Sequence, residues 1–304
     1  MKTKEKNIIM GVAYGYDFEK IKPFIASLEK INFKGKILLV ANDNLLIPDR
    51  YRKLLDISLI NEKGLRRSIA LRAINKGLSL PYVRSVVKRT LNGVNQLSES
   101  IFLNAFIKVY HVVNARLAFN LKFLRKNEFD NVFLTDVRDV VFQADPFQNF
   151  AGGCNVFNEN EHLSITGCKW NSSWIREGYG EAELLKIGGD EIYCVGTILS
   201  DYGSMLLLLA KMLQACLDWK GRMNIYGPDT GSFNYLIHND LVDNIVKRKN
   251  GDVVLTISPE TYDQIKITSR GVEYNGFFPL LCISMTGSQP WLISTGEKYS
   301  ELVG

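Results

Sequence analysis

The chain has 304 residues, with a hydrophobic share of 46%, a charged share of 23% and a formal net charge of +5. These are globular values, which exclude a disordered, collagen-like or fibrous chain and allow one large α/β domain. Lys and Arg are spread along the sequence apart from a run at Lys247, Arg248 and Lys249, a balance that suits an anionic ligand or an acidic membrane surface and gives no reason to expect a nucleic-acid partner.

Five cysteines (Cys154, Cys168, Cys194, Cys216 and Cys282) are odd in number and free of any Cys-x-x-Cys pair, so neither a disulfide framework nor a zinc site is indicated. The opening residues reach Tyr14 and Asp17 before any apolar stretch of signal length, and no apolar run approaches the roughly 20 residues that span a bilayer. The expectation is a soluble chain with reduced thiols in the cytoplasm, attached at most peripherally to the inner face of the membrane.

The run Asn7 to Val12 reads as a strand, and Phe18 to Lys30 as a helix with Phe18, Ile21, Ile25 and Leu28 on one face. Gly35 is taken as the break, and Lys36 to Val40 as a second buried strand. Together they form a βαβ unit, whose loops at the carboxyl ends of the strands are the usual ligand-binding positions. Residues 13 to 16 and 41 to 44, including Ala13, Tyr14 and Asn42, are therefore candidate nucleotide contacts.

A basic stretch from 65 to 96 carries no assigned function. From Ser98 to Asn127 the apolar spacing fits one helix or two, and Val132 to Leu134 forms a short strand before the charged turn Asp136-Val-Arg-Asp139. In the second half, Gly152, Gly153, Gly178, Gly180, Gly188 and Gly189 predict loops around an aromatic group of Trp170, Trp174 and Tyr179. A helix from about Ser204 to Trp219 is apolar on nearly all sides, and another starts near Gly227, with Asp229 suited to cap it. The fold class is α/β, Rossmann-like, with a mainly parallel central sheet flanked by helices. We read one domain, residues 1–145 serving the nucleotide and 146–304 the sugar and acceptor.

Two carboxylates three apart would face opposite ways on an ideal strand, but a turn brings both Asp136 and Asp139 within reach of one hard cation such as Mn²⁺ or Mg²⁺. Such an ion is held by one or two carboxylates plus diphosphate oxygens and stabilises charge on a departing phosphate. The same pattern also describes a surface turn in which Asp139 pairs with Arg138.

The stretch VFLTDVRDVVFQADPF (132–147) resembles the acidic signature of a family of GT-A-fold, nucleotide-sugar-dependent glycosyltransferases. NARLAFNLKFL (114–124), CVGTILS (194–200) and GPDTGSFNYLIHN (227–239) resemble flanking segments of that family, in order. The resemblance implies transfer of a sugar from a UDP- or GDP-linked donor to a glycan or glycoconjugate acceptor, with Asp136 and Asp139 on the metal. It places Arg116 or Arg138 near the diphosphate and Gly196, Thr197 and Asp229 along the sugar pocket. Were the reaction inverting, Asp229 or Asp190 would be the carboxylate base. Thr230 replaces a common Gln, and FFPLLCISMTGSQPW (277–291) lacks the His that often completes the metal shell, leaving Ser284, Ser288 or Gln289 as weaker oxygens. Two rival readings are a sugar-nucleotide pyrophosphorylase, for which GVAYGYDF (11–18) is poor in glycine and arginine, and a catalytically silent nucleotide-sugar-binding protein.

Overall fold

The computed structural model describes residues 6–42, 44–61, 96–221 and 226–284. Nearly all of the basic stretch, together with Ser288 and Gln289, lies outside the described residues, and Ser284 is described only through its backbone. The first elements are β1 (Asn7–Val12), α1 (Phe18–Lys30), β2 (Lys36–Ala41), α2 (Asp49–Leu54) and β3 (Asp56–Asn61). Then come α3 (Gln96–Val109), α4 (Val112–Leu124), β4 (Asn131–Thr135), β5 (Val140–Phe142) and β6 (Cys154–Asn158). The chain continues through α5 (Lys169–Tyr179), α6 (Glu181–Ile187), β7 (Tyr193–Asp201), α7 (Tyr202–Asp218) and α8 (Pro228–His238). It ends in β8 (Ile245–Arg248), β9 (Val254–Ile257), a 3-10 turn (Pro259–Gln264), β10 (Ile265–Thr268), β11 (Gly271–Tyr274) and β12 (Leu281–Ser284).

Seven strands make the central sheet in the order β3-β2-β1-β4-β7-β6-β8. The first four are mutually parallel, β7 runs antiparallel to both neighbours, and β6 and β8 are parallel. Alternation along β1 explains the two-sided core. Ile8 and Met10 pack with Leu38, Val40 and Leu134 against α3, α4, α7 and α8, while Ile9 packs with Ile37, Leu39 and Phe133 against α1. A smaller sheet, β5-β12-β9, lies beside it, and β10 and β11 form a hairpin. Among the described residues no helix is long and apolar enough to cross a membrane.

Several local expectations are corrected. Helix α1 ends five residues before Gly35, where Asn32 takes a left-handed conformation (φ 54°). Gly35 instead allows a close approach, since a Cβ there would stand 2.6 Å from the Asn7 carbonyl oxygen. The region read as glycine-rich loops holds α5 and α6. Gly178 lies inside α5 because the Trp219 indole occupies the place of its side chain, and Gly180 (φ 99°) is the stop between the two helices. The pattern over 98 to 127 resolves into two helices, and the ring of His111 accepts a hydrogen bond from the Val113 amide at the start of α4. Asp229 does not cap α8: Gly227 holds the cap position and Asp229 sits in the first turn with its side chain turned inward.

Candidate nucleotide and sugar site

Strand β7 runs against β4 with Thr135 opposite Thr197, so the start of β7 and the end of β4 lie together. The Asp136 amide donates to the Gly196 carbonyl (2.8 Å), carrying the pairing one residue beyond the strand. Val137 is buried and points onto β1, where a Cβ on Gly11 would fall 2.3 Å from Val137 Cγ1. The missing side chain of Gly11 is what seats the acidic turn on the sheet. Beyond it, β5 is fixed by a hydrogen bond from the Phe142 amide to the buried Ser27 hydroxyl (3.0 Å). The Gln143 amide nitrogen reaches the carbonyls of Val272 (3.0 Å) and Pro279 (2.8 Å), so the second half of the acidic signature clamps the C-terminal hairpin.

The two acids have different partners. Arg116, projecting from α4, donates through Nη1 to Asp136 Oδ1 (2.9 Å) and through Nη2 to Asp229 Oδ2 (2.8 Å). Asp229 is 2% exposed and the Asp136 side chain 50%. One guanidinium thus ties a sealed carboxylate to an open one. Burial alone would lower the Arg116 pKa, but Asp229 and Asp136 more than offset it and hold the guanidinium above its ordinary value. Burial pushes the Asp229 carboxyl up, with Arg116 opposing it. Asp139 is gripped by its neighbour Arg138 through Nε (2.9 Å) and Nη2 (2.7 Å), the pairing that the turn alone allowed.

Asp136 has hard oxygens and an open flank. On the side of Gly196 a Cβ would stand 2.5 Å from Asp136 Oδ2, so the glycine leaves room beside that oxygen. The turn thus presents two carboxylates, each held by an arginine: Asp136 by Arg116 and Asp139 by Arg138; both are hard oxygen donors of the kind a divalent cation takes. Among the described residues no group of three or more His, Cys, Asp or Glu could hold a metal.

The nucleotide-side residues also meet. The Ala13 amide donates to the Val40 carbonyl (2.8 Å), and the Gly15 amide to Asn42 Oδ1 (3.2 Å), so the loops after β1 and β2 form one ledge. Tyr14 is partly exposed on it. The Arg138 guanidinium carbon stands 5.9 Å from the centroid of the Tyr16 ring. Burial raises the Tyr16 pKa, Arg138 opposes this, and Asp136 and Asp139 add to it.

Other expected residues lie elsewhere. Thr197 is wholly buried beneath the site. Asp190 pairs with His238 Nδ1 (3.4 Å), at the end of α8 opposite Asp229. The sequence reading missed Glu159. This residue follows β6 directly, where a register shift between Val156 and Asn158 re-aims the chain. It is 8% exposed, and burial raises its pKa to about 7, with a hydrogen bond from the Cys194 thiol lowering it and Asp136 raising it. Beside it, Asn158 is buried and its side-chain amide finds no partner among the described residues. The available signal was an acid at the carboxyl end of a buried strand, as Asp136 is of β4, hidden among the polar residues Asn158, Asn160 and Glu161.

No protein-family model matches the chain, and no curated protein matches it. The fold is similar to that of a solved structure of the galactosyltransferase LgtC in complex with donor and acceptor sugar analogs. The TM-score is 0.50 at 12% identity, over 98% of this chain and 95% of that one. An active-site mutant of LgtC aligns with a TM-score of 0.50 at 11% identity, over the same shares. The likeness establishes a GT-A-type fold: a large, mostly parallel central sheet flanked by helices.

Two outcomes follow from the charges. Replacing Arg116 by Met leaves Asp229 sealed and unpaired, which costs about 3–5 kcal/mol in urea denaturation, and adding Asp229→Asn recovers part of the loss. Glu159, raised from 4.5 to about 7, contributes stability that is complete below 4.5 and gone above about 7. Wild type therefore loses roughly 3 kcal/mol more than Glu159→Gln over that rise in pH, read from denaturation midpoints at each pH.

Proposed function

We propose that the chain is a glycosyltransferase that takes a sugar from a UDP- or GDP-linked donor and passes it to a glycan or glycoconjugate acceptor. The observation that carries this reading is the linkage of Asp136, Arg116 and Asp229 at the carboxyl end of the parallel strands, in a fold shared with a galactosyltransferase solved with donor and acceptor sugar analogs. Ligands of open α/β sheets bind outside the carboxyl ends of the strands.

In this reading Tyr14 and Asn42 hold the nucleoside, over Ala13, which is wholly buried and supports the ledge from below, and Asp136 and Asp139 hold Mn²⁺ or Mg²⁺ on the diphosphate. The ion supplies electrophilic stabilisation of the leaving diphosphate. Arg138, on the more exposed side of its pair (38% against 15% for Asp139), turns to the phosphates and frees Asp139. Gly196 gives the donor sugar room beside Asp136. Asp229 orients Arg116; with its carboxylate sealed and paired, it is poorly suited to take a proton from an acceptor. Asp190 has no part in the reading, because its partner His238 lies at the other end of α8.

Because each acid starts in an ion pair, cation binding competes with a guanidinium unless a diphosphate draws that guanidinium off. Titration calorimetry is expected to show weak Mn²⁺ binding to the protein alone, and UDP or GDP binding at least tenfold tighter with Mn²⁺ than without. Asp139→Ala abolishes the metal-dependent part. Nucleotide binding that ignores the metal and survives Asp139→Ala overturns the reading.

A further inference from the structure

Next to the proposed reaction centre the surface carries aromatic rings that the core does not use. Trp170 is 64% exposed and stands one helical turn before Trp174 on α5, their ring centroids 6.3 Å apart and their planes inclined by 30°. Residues four apart share a helix face, so the two indoles form one step-like ledge. Trp174 joins that ledge to the site. Its indole nitrogen would stand 2.1 Å from a Cβ on Gly227, and its own Cβ would stand 3.3 Å from one on Gly231. The ring therefore lies across the start of α8, the helix whose first turn holds Asp229. On the far side of Gly227, Tyr226 is 68% exposed, with its ring centroid 4.9 Å from that of His111 at the start of α4, the helix that carries Arg116.

We propose that Trp170 and Trp174 form the stacking platform for a pyranose ring of the acceptor, which they hold beside Asp229 and Arg116. One face of a pyranose presents a row of C–H bonds that matches the negative face of an indole, while its hydroxyls seek polar neighbours at the rim. The ledge has that form. Exposed Lys169, Ser173, Arg176 and Glu177 surround the two rings, and a patch of two side chains is far smaller than the roughly 800 Å² per partner of a stable protein interface. A sugar ring is the occupant of matching size. Gly227 serves the platform from below, because its missing side chain leaves the space that the Trp174 indole fills.

The proposal rests on the glycosyltransferase reading for its acceptor role, and the test separates the two. Saturation-transfer NMR, with selective irradiation of indole resonances, is run on the whole protein with methyl α- and β-glucosides and -galactosides. Nucleotide binding is followed separately by calorimetry. Wild type is expected to pass saturation to the C–H protons of one face of at least one glycoside. Trp170→Ala reduces the effect at least tenfold, and Trp170→Phe keeps part of it. UDP or GDP binding with Mn²⁺ stays unchanged in both variants. No transfer from the indoles in wild type overturns the platform, and so does transfer undiminished in Trp170→Ala. Glycoside binding that persists while no nucleotide binds supports the platform and removes the glycosyltransferase reading.

Discussion

A single guanidinium organises the site. Arg116 satisfies the buried carboxylate of Asp229 and the open carboxylate of Asp136 at once, and each contact constrains a different part of the molecule. The bond to Asp229 fixes the first turn of α8 against α4 on the inner side. The bond to Asp136 reaches across to the end of β4, so the acidic turn is held by a helix as well as by the sheet. A charge this enclosed is tolerated only with partners of opposite sign and good geometry, and the two acids provide them. The residues expected to bind ligand are therefore also the residues that lock the supporting elements together.

Under the proposed function the same arrangement would give the acidic turn two states. With its arginine partners in place it is electrically satisfied and has little attraction for a free cation. A bound diphosphate would compete for the guanidiniums and leave the carboxylate oxygens to a metal. Arg138 is suited to this exchange, since it is the exposed member of its pair and already lies above the Tyr16 ring at the nucleotide ledge. Arg116 is less free to move, because Asp229 would lose its partner. In the second half of the signature, Gln143 and Asp145 hold the surrounding chain: Gln143 binds the C-terminal hairpin, and Asp145 accepts from the Phe147 amide (3.0 Å).

The sequence made the fully buried parallel strands legible. β1, β2 and β4 are short, almost wholly apolar runs ending in polar turns, and both faces of each are buried. It did not make β6 and β8 legible, because CNVFN and IVKR mix polar and apolar residues without clean alternation. Nor could it show that β7 reverses direction. Glycines misled where a distant side chain filled their space, as Trp219 does at Gly178. At the candidate site, the placement of Asp136 just past the end of a buried strand was legible in the sequence. Asp229 was misread as a cap, because only its contact with Arg116, 113 residues away in sequence, decides where it points. Glu159 depends on a register shift in β6 that leaves no local trace. The pairing of Asp190 with His238 is likewise a tertiary fact.

The central claim is that Asp136 and Asp139 exchange guanidinium partners for a cation when a nucleotide diphosphate arrives. Anomalous diffraction from crystals soaked with Mn²⁺ and UDP or GDP tests it most directly. The account predicts one manganese peak between the two carboxylates and the diphosphate, with Arg138 turned away from Asp139. A nucleotide bound with both arginine pairs intact and no manganese at the turn would contradict it.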